Sequence, residues 1–361
     1  MTVRWRAVLL VVAIAAALLP LPQTVIESIY STRLFPVFQA IVTRTSNLVP
    51  FALFDLIIVA VATWWLIQAI RDLRSRRQVG WLRAAGRIVV RTATVTAAAY
   101  LAFLLAWGLN YRRVPLQDKL QFERSRLSSA AALSLAEHAV SQMNAQYEPA
   151  HQLGWAASGV VDRSLADAFA TASHELGSHA ATVPGIPKRS LLDAYFRRAG
   201  VAGMTDPYFL ETFVASDLLP FERPFVVAHE WGHLAGFADE GDANFLAWLT
   251  CLRGTKAHQY SGWLSLYSEV VGGLDRSDAM KVSASLAAGP RDDLRAIRER
   301  LRQNINPQVS AAGWRVYDSY LKANNVEAGA ASYADVVRLI LGTTFADDWT
   351  PQLKSSLDPG P

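Results

Sequence analysis

The sequence predicts a mainly α protein: three N-terminal transmembrane helices followed by a mostly helical domain that carries a small β-element. Three observations predict it. Hydrophobic residues make up 52% of the 361 residues and mean hydropathy is +0.16, too apolar for an ordinary water-soluble chain. The apolar residues before Tyr111 gather into three long runs almost free of charge, with a basic stretch between the second and third. Beyond Tyr111 the composition turns mixed and the apolar spacing becomes that of amphipathic helices. A chain of this length holds a membrane portion and one domain with its own core, here residues 1–111 and 112–361.

The first predicted span covers residues 7–26 and follows Arg4 and Arg6. A cleaved signal peptide is the competing interpretation, but Leu18-Leu19-Pro20-Leu21-Pro22 is a poor cleavage site and two more spans follow. The second span covers residues 48–70, with Asp55 near one end and Trp64 and Trp65 near the other. The third covers residues 92–111 and ends in Trp107 and Tyr111. Seven arginines between Arg71 and Arg91 oppose the single acid Asp72, which predicts a cytoplasmic loop. The expected topology is multi-pass, with the N-terminus on the cytoplasmic side of the membrane and the later domain outside. The segment between the first two spans carries Leu34-Phe35-Pro36-Val37-Phe38, a pattern that suits either the membrane surface or packing under the domain.

Ser128-Ser129 caps an expected helix running to about Tyr147, and a second runs from Val161 to about Ala181. That second stretch contains His174 and His179, whose five-residue separation makes them diverge around a helix. Residues 184–187 break the run, residues 190–198 suggest a short helix, and the stretch 203–220, in which 208–210 and 212–214 are β-favouring, suggests one or two strands. A strand there would offer an edge to an extended peptide.

The apolar run Val226-Val227-Ala228-His229-Glu230-Trp231-Gly232-His233 carries a His-Glu-x-x-His motif. On a helix, residues four apart share a face, so both imidazoles aim at one point suited to a divalent metal, and Glu230 stands beside them as a general base for a water there. Zn²⁺ is the expected ion, and it needs a third protein ligand. Gly236 is placed to end the helix and turn the chain back, which brings three acids into contention. Glu240 begins a Glu-x-x-Ala-Asn pattern in which Asn244, one turn later, would orient a ligand as its hydrogen-bond partner. Asp239 completes a metzincin-like spacing, and Asp242 is the third candidate. Whichever acids are not ligands would serve a helix N-terminus.

Tyr260 is a candidate donor to an oxyanion, and His258 is read as a polar contact. Residues 245–252 and 261–272 are expected apolar helices, 290–303 a charged one, and 347–361 a loose tail. The single Cys251 excludes an internal disulfide and a thiolate metal cluster. The formal charge of +4 raises nucleic acid as a partner, but the arginines cluster beside apolar segments, as membrane topology requires, so no nucleic-acid partner is expected.

Ala228-His-Glu-Trp-Gly-His233, Gly236-Phe-Ala, Glu240-Gly-Asp-Ala-Asn-Phe245 and Gln259-Tyr-Ser-Gly262 resemble the bacterial membrane-protein family catalogued as domain of unknown function 3810. Tyr30-Ser31 with Phe35-Pro36, Trp107-Gly-Leu-Asn-Tyr111, Tyr317-Asp-Ser-Tyr-Leu321 and Ser332-Tyr333 are similar to its landmarks as well. The resemblance implies a zincin-like metallopeptidase domain without an assigned substrate. It favours Glu240 as the third ligand, because the family's Glu-x-Glu-Ala-Asn stretch matches Glu240 while Asp242 is shorter by one methylene. The expectation is therefore a membrane-anchored zinc metallohydrolase, a peptidase acting on a peptide or protein substrate, with the lipid bilayer as its other partner. A catalytically silent scaffold with a structural or vestigial zinc site, and a zinc amidase acting on cell-envelope substrates, are the alternatives.

Overall fold

The computed structural model describes residues 2–19, 21–178, 180–324 and 335–354. Helix α1 (Thr2–Leu18) is followed by α2 (Gln23–Ser46), whose Ile26–Leu34 stretch is wound as a π-helix. Then come α3 (Leu53–Val79) and α4 (Trp81–Ala106). Two helices, α3 and α4, are long and apolar enough to cross a membrane, which marks a membrane protein; the expected count was three. The predicted first span is broken before Pro22, and α1 qualifies only jointly with α2, from which it is bent by 108°. The predicted loop of arginines is also not a loop. Helix α3 continues through Arg71–Arg77 to Val79, and α4 begins at Trp81, with only Gly80 between them at φ 84°, a conformation glycine adopts freely. An Arg91–Asp72 ion pair at 2.5 Å crosses this hairpin. The predicted third span ends early, since Gly108–Arg112 tightens into a 3₁₀ turn.

Helix α2 packs under the later domain. Gln39 Nε2 donates to Val183 O (2.8 Å), Thr43 Oγ1 to Leu210 O (3.0 Å) and Asn47 Nδ2 to Pro184 O (3.0 Å). Ile26, Tyr30 and Phe35 from α2, Phe103 and Leu104 from α4, and Trp107 belong to the same apolar core as the domain's helices.

Helix α5 (Ser129–Leu153) starts at the expected Ser128, whose Oγ accepts the Ala131 N–H at 3.1 Å. It is followed by α6 (Arg163–Glu175), β1 (Pro187–Lys188), α7 (Asp193–Ala199), β2 (Gly203–Thr205) and β3 (Thr212–Val214). The strands form one sheet in the order β1-β3-β2, with Lys188 opposite Phe213 in parallel and Met204 opposite Phe213 antiparallel. The expected 203–220 stretch holds two strands, Gly203–Thr205 and Thr212–Val214, but residues 208–210 are not strand. Tyr208 and Phe209 sit in a turn whose N–H groups donate to the Asp206 carboxylate at 3.0 and 2.7 Å. Then come α8 (Arg223–Leu234), α9 (Glu240–Arg253), α10 (Lys256–Gly273), α11 (Arg276–Ala284), α12 (Ala288–Asn304), α13 (Pro307–Ala323) and α14 (Asp335–Gly342). Residues 240–251 of α9 are all buried, and α6, α8, α10 and α14 surround that helix. Residues 347–354 of the expected loose tail are packed on the domain. Trp349 inserts among Trp248, Trp263 and Phe345, and Leu353 bridges to Leu120. Residues 355–361, Ser332-Tyr333 and His179 lie outside the described residues.

The start of α3 is clasped by the domain. No side chain of its own caps it, and the Glu211 carboxylate accepts the N–H groups of Leu53 (3.1 Å) and Phe54 (3.0 Å) instead. Lys188, also buried, pairs with Glu211 at 2.6 Å and donates to Ser46 O and Phe51 O. Asp55, one turn in, accepts from Ser190 Oγ and Leu191 N at 2.7 and 2.8 Å.

Candidate metal centre

Helix α8 begins with Pro224 in its first turn, where the missing N–H is no loss, and ends in a Schellman turn. Gly236, at φ 81°, passes its N–H to His233 O (3.0 Å), and Phe237 N reaches Gly232 O (3.0 Å). This turn sends the chain back into α9. Asp239 caps that helix, accepting from Gly241 N at 2.8 Å and Asp242 N at 3.2 Å. Gly232 faces α9 directly: a Cβ there would stand in ordinary van der Waals contact with Ala243 Cα, at 3.4 Å. The first turn of α9 is thereby pressed against the His229–His233 face of α8.

The result is a buried triad. His229 Nε2 lies 3.1 Å from His233 Nε2, and Glu240 Oε2 lies 3.2 Å from the first and 3.6 Å from the second. His233 Nδ1 is 2.7 Å from Phe237 O, and since a carbonyl only accepts, Nδ1 carries the proton and Nε2 of the neutral ring turns a lone pair toward the others. Among the described residues, these three are the group of His, Cys, Asp and Glu donors that converge in this way. Donors about 2.0–2.1 Å from a tetrahedral ion lie about 3.3–3.4 Å apart, and the three measured separations bracket that value. Two imidazoles and a carboxylate also suit zinc by donor type. The residues present fit the ion.

Electrostatics follow from the burial. Burial opposes charge on Glu240, but His233 and His229 outweigh it and hold the carboxyl well below its usual range. Burial likewise opposes charge on His233, and the Glu240 carboxylate overcomes it, raising the imidazole to about 9. Glu230 is raised, chiefly by its own burial.

Glu230 is held by β2. Thr205 Oγ1 donates to Glu230 Oε2 at 2.8 Å, with a second contact to Glu230 O at 2.9 Å. The other oxygen, Oε1, occupies the space where a side chain on residue 203 would stand: a Cβ on Gly203 would lie 2.5 Å from it. Ala202 O and Asp206 N are bonded to Ala215 N and Glu211 O on the β3 side, so in this antiparallel ladder the backbone groups of Gly203 and Thr205 face outward along the sheet's open edge.

The other predicted residues are placed differently. Asp239 is the cap, and Asp242 Oδ2 accepts Leu116 N at 3.2 Å, its carboxyl pushed up to about 7 by burial and by Asp239. Neither joins the triad. Asn244 is buried one turn beyond Glu240. Tyr260 does not face the triad: its hydroxyl donates to Asp293 Oδ2 at 2.7 Å, in a cluster with Tyr147 and His151. His258 closes a capping box with Thr255 and meets Asp162 at 2.9 Å. The phenol that does reach the site is Tyr317, on α13, which donates to Glu240 Oε1. Its sequence neighbourhood was noticed as a landmark, but nothing in a stretch 77 residues from Glu240 signals the contact. Tyr317 stacks on Tyr320, which packs on Phe103 and Tyr111. From the other side Trp107 Nε1 donates to His233 O at 2.9 Å.

Neither the curated proteins nor the solved structures include a match to this chain. The comparison with known families matches residues 30–341 to the family described as Protein of unknown function (DUF3810), a span that runs from within α2 to within α14 and takes in the triad, Glu230 and Tyr317. The chain belongs to that family.

Proposed function

We propose that the protein is a membrane-anchored zinc metallohydrolase of zincin type, acting as a peptidase on the extracytoplasmic side of a bacterial inner membrane. The observation that carries this reading is the triad with Glu230 beside it: three donors at tetrahedral spacing and a fourth group that is not one of them. His229, His233 and Glu240 would hold Zn²⁺, which when bound acidifies water and polarises a carbonyl. Glu230 then receives a proton at Oε1, because Oε2 is already engaged by Thr205, and delivers it to the leaving amine. A carboxylate raised by burial is better matched to that exchange near neutrality than an ordinary one. Thr205 and Gly203 fix where Oε1 stands. The open edge of β2 beside Glu230 favours an extended peptide, which would add to the sheet through backbone hydrogen bonds.

Purified full-length protein tests the reading. We expect about one zinc per chain by elemental analysis and cleavage of a proteome-derived peptide library, with cleavage lost in Glu230→Gln and zinc retained. Zinc retained without cleavage of peptides or of cell-envelope amides would leave a structural site. Cleavage of amides alone would move the substrate class. Full zinc retention in both His229→Ala and His233→Ala would overturn the metal centre itself.

A further inference from the structure

Helix α2 turns an apolar stripe away from the protein. The face turned into the protein carries the apolar Ile26, Tyr30 and Phe35 and also Ser31, Gln39, Thr43 and Ser46, these four all buried and all hydrogen-bonded. The face turned outward is apolar: Ile29, Leu34, Val37 and Ile41 are each more than half exposed, and Val25 and Phe38 continue the stripe. The π-helical turn keeps this stripe together, since Ile29 and Leu34, five apart, fall on one face there. Exposed hydroxyls on the helix donate to the helix's own carbonyls, Thr32 to Glu27 O and Thr45 to Ile41 O, both at 2.8 Å, as surroundings without water require. Arg33 and Arg44 are exposed at the flank of the stripe rather than within it.

The position of α2 matches its chemistry. Tyr30 donates to Leu105 O and Ser31 to Asn110 Oδ1, both at 2.9 Å, which holds α2 level with the last turn of α4. A few residues after α2 the chain enters α3, so the helix lies where both spanning helices meet the domain. Helix α1 packs against α4, and α2 is bent away from α1 by 108°, the bend expected of a helix that leaves the direction of a spanning hairpin for the plane of a bilayer.

We propose that α2 is an in-plane membrane helix whose Ile29–Leu34–Val37–Ile41 stripe is buried among the acyl chains of the domain-side leaflet, with Arg33 and Arg44 at the headgroups. Lipid is favoured over a second copy of the chain because the stripe lies on a helix that runs into α3 and is bonded to the last turn of α4, two helices that expose apolar residues along their length, and because it is bordered by cations, the arrangement of interfacial helices in anionic bilayers. The inference is independent of any metal or hydrolytic activity.

Nitroxide labels on single cysteines test it in full-length protein reconstituted into phosphatidylglycerol-containing vesicles. The native Cys251 is buried, so the unsubstituted chain gives the labelling background. Val37→Cys and Ile41→Cys are compared with Val59→Cys on the exposed face of α3 and Glu299→Cys on the charged helix α12. We expect the ratio of oxygen to nickel-chelate accessibility at positions 37 and 41 to exceed that at 299 several-fold and to approach that at 59. Equality with position 299 would place the stripe in water and overturn the proposal. Exclusion of both reagents with dipolar broadening would instead place a second copy on the stripe, and would overturn it equally.

Discussion

Tyr317 and Glu240 share one hydrogen bond across 77 residues: the phenol donates to Oε1 while Oε2 of the same carboxylate faces both histidines. That division of oxygens fixes the rotation of the carboxylate. Removing the hydroxyl leaves Oε1 buried and the ligand free to turn. Tyr317→Phe should therefore keep the fold and weaken zinc binding by about tenfold or more, read by competition with a chromogenic chelator. Unchanged affinity would mean that the phenol plays no part in orienting the ligand.

Gly203→Ala should separate positioning of Glu230 from metal binding. Its Cβ would stand 2.5 Å from Oε1 and 3.0 Å from Cδ, so the carboxylate must swing away. Displacement of a reacting group by about an ångström can cost about a hundredfold in rate, while His229, His233 and Glu240 are untouched. The expected result is full zinc content with peptide hydrolysis reduced by about one to two orders of magnitude. Wild-type turnover in this variant would show that Glu230 does not act at Oε1.

Zinc uptake should release protons. With His233 at about 9 in the metal-free protein, its imidazolium predominates at pH 7, and the ion must displace that proton. Affinity should rise with pH, by about tenfold per unit from this group, and level off above about 9. In the metal-free protein the same raised value stabilises the fold below the ordinary 6.5 of histidine, and that contribution is lost as pH rises through about 9. Calorimetry at pH 7 in two buffers of different ionisation enthalpy should report about one proton per zinc, and none would contradict the assignment.

Lys188→Met should destabilise strongly, by about 3–5 kcal/mol, because it leaves the Glu211 carboxylate buried and charged. Adding Glu211→Gln should recover part of that loss. The double substitution still lacks the anionic cap on α3, so recovery should be incomplete. Unfolding in mixed detergent micelles measures both, and additive losses would show that the two side chains act separately.

The triad was legible because one helix repeat and one glycine cap determine most of it: four-residue spacing aligns His229 with His233, and the turn at Gly236 returns the chain with Asp239 as cap and Glu240 inward. The alternatives among the three acids were open in sequence, since capping and ligation both call for acids in that turn. Strands of two or three residues leave no periodicity, so β1 gives no signal, and β2, inside the 203–220 stretch, cannot be placed at Gly203–Thr205 or tied to Glu230. Tyr260 was expected near the site from sequence proximity, whereas α10 packs on α5 and the Tyr260 hydroxyl goes to Asp293 of α12. Hydropathy located the membrane segment but not its breaks: it ran the first span across Pro22 and took arginine-rich helix ends for a loop.

The bond from Trp107 to His233 ties the end of α4 directly to the motif helix. A centre held in this way has no tether length over which to swing, so the fold fixes its distance from α4. Under the proposed function its encounters would be those of a two-dimensional search: targets would reach it by lateral diffusion in the same membrane or by pressing a segment against the lipid surface.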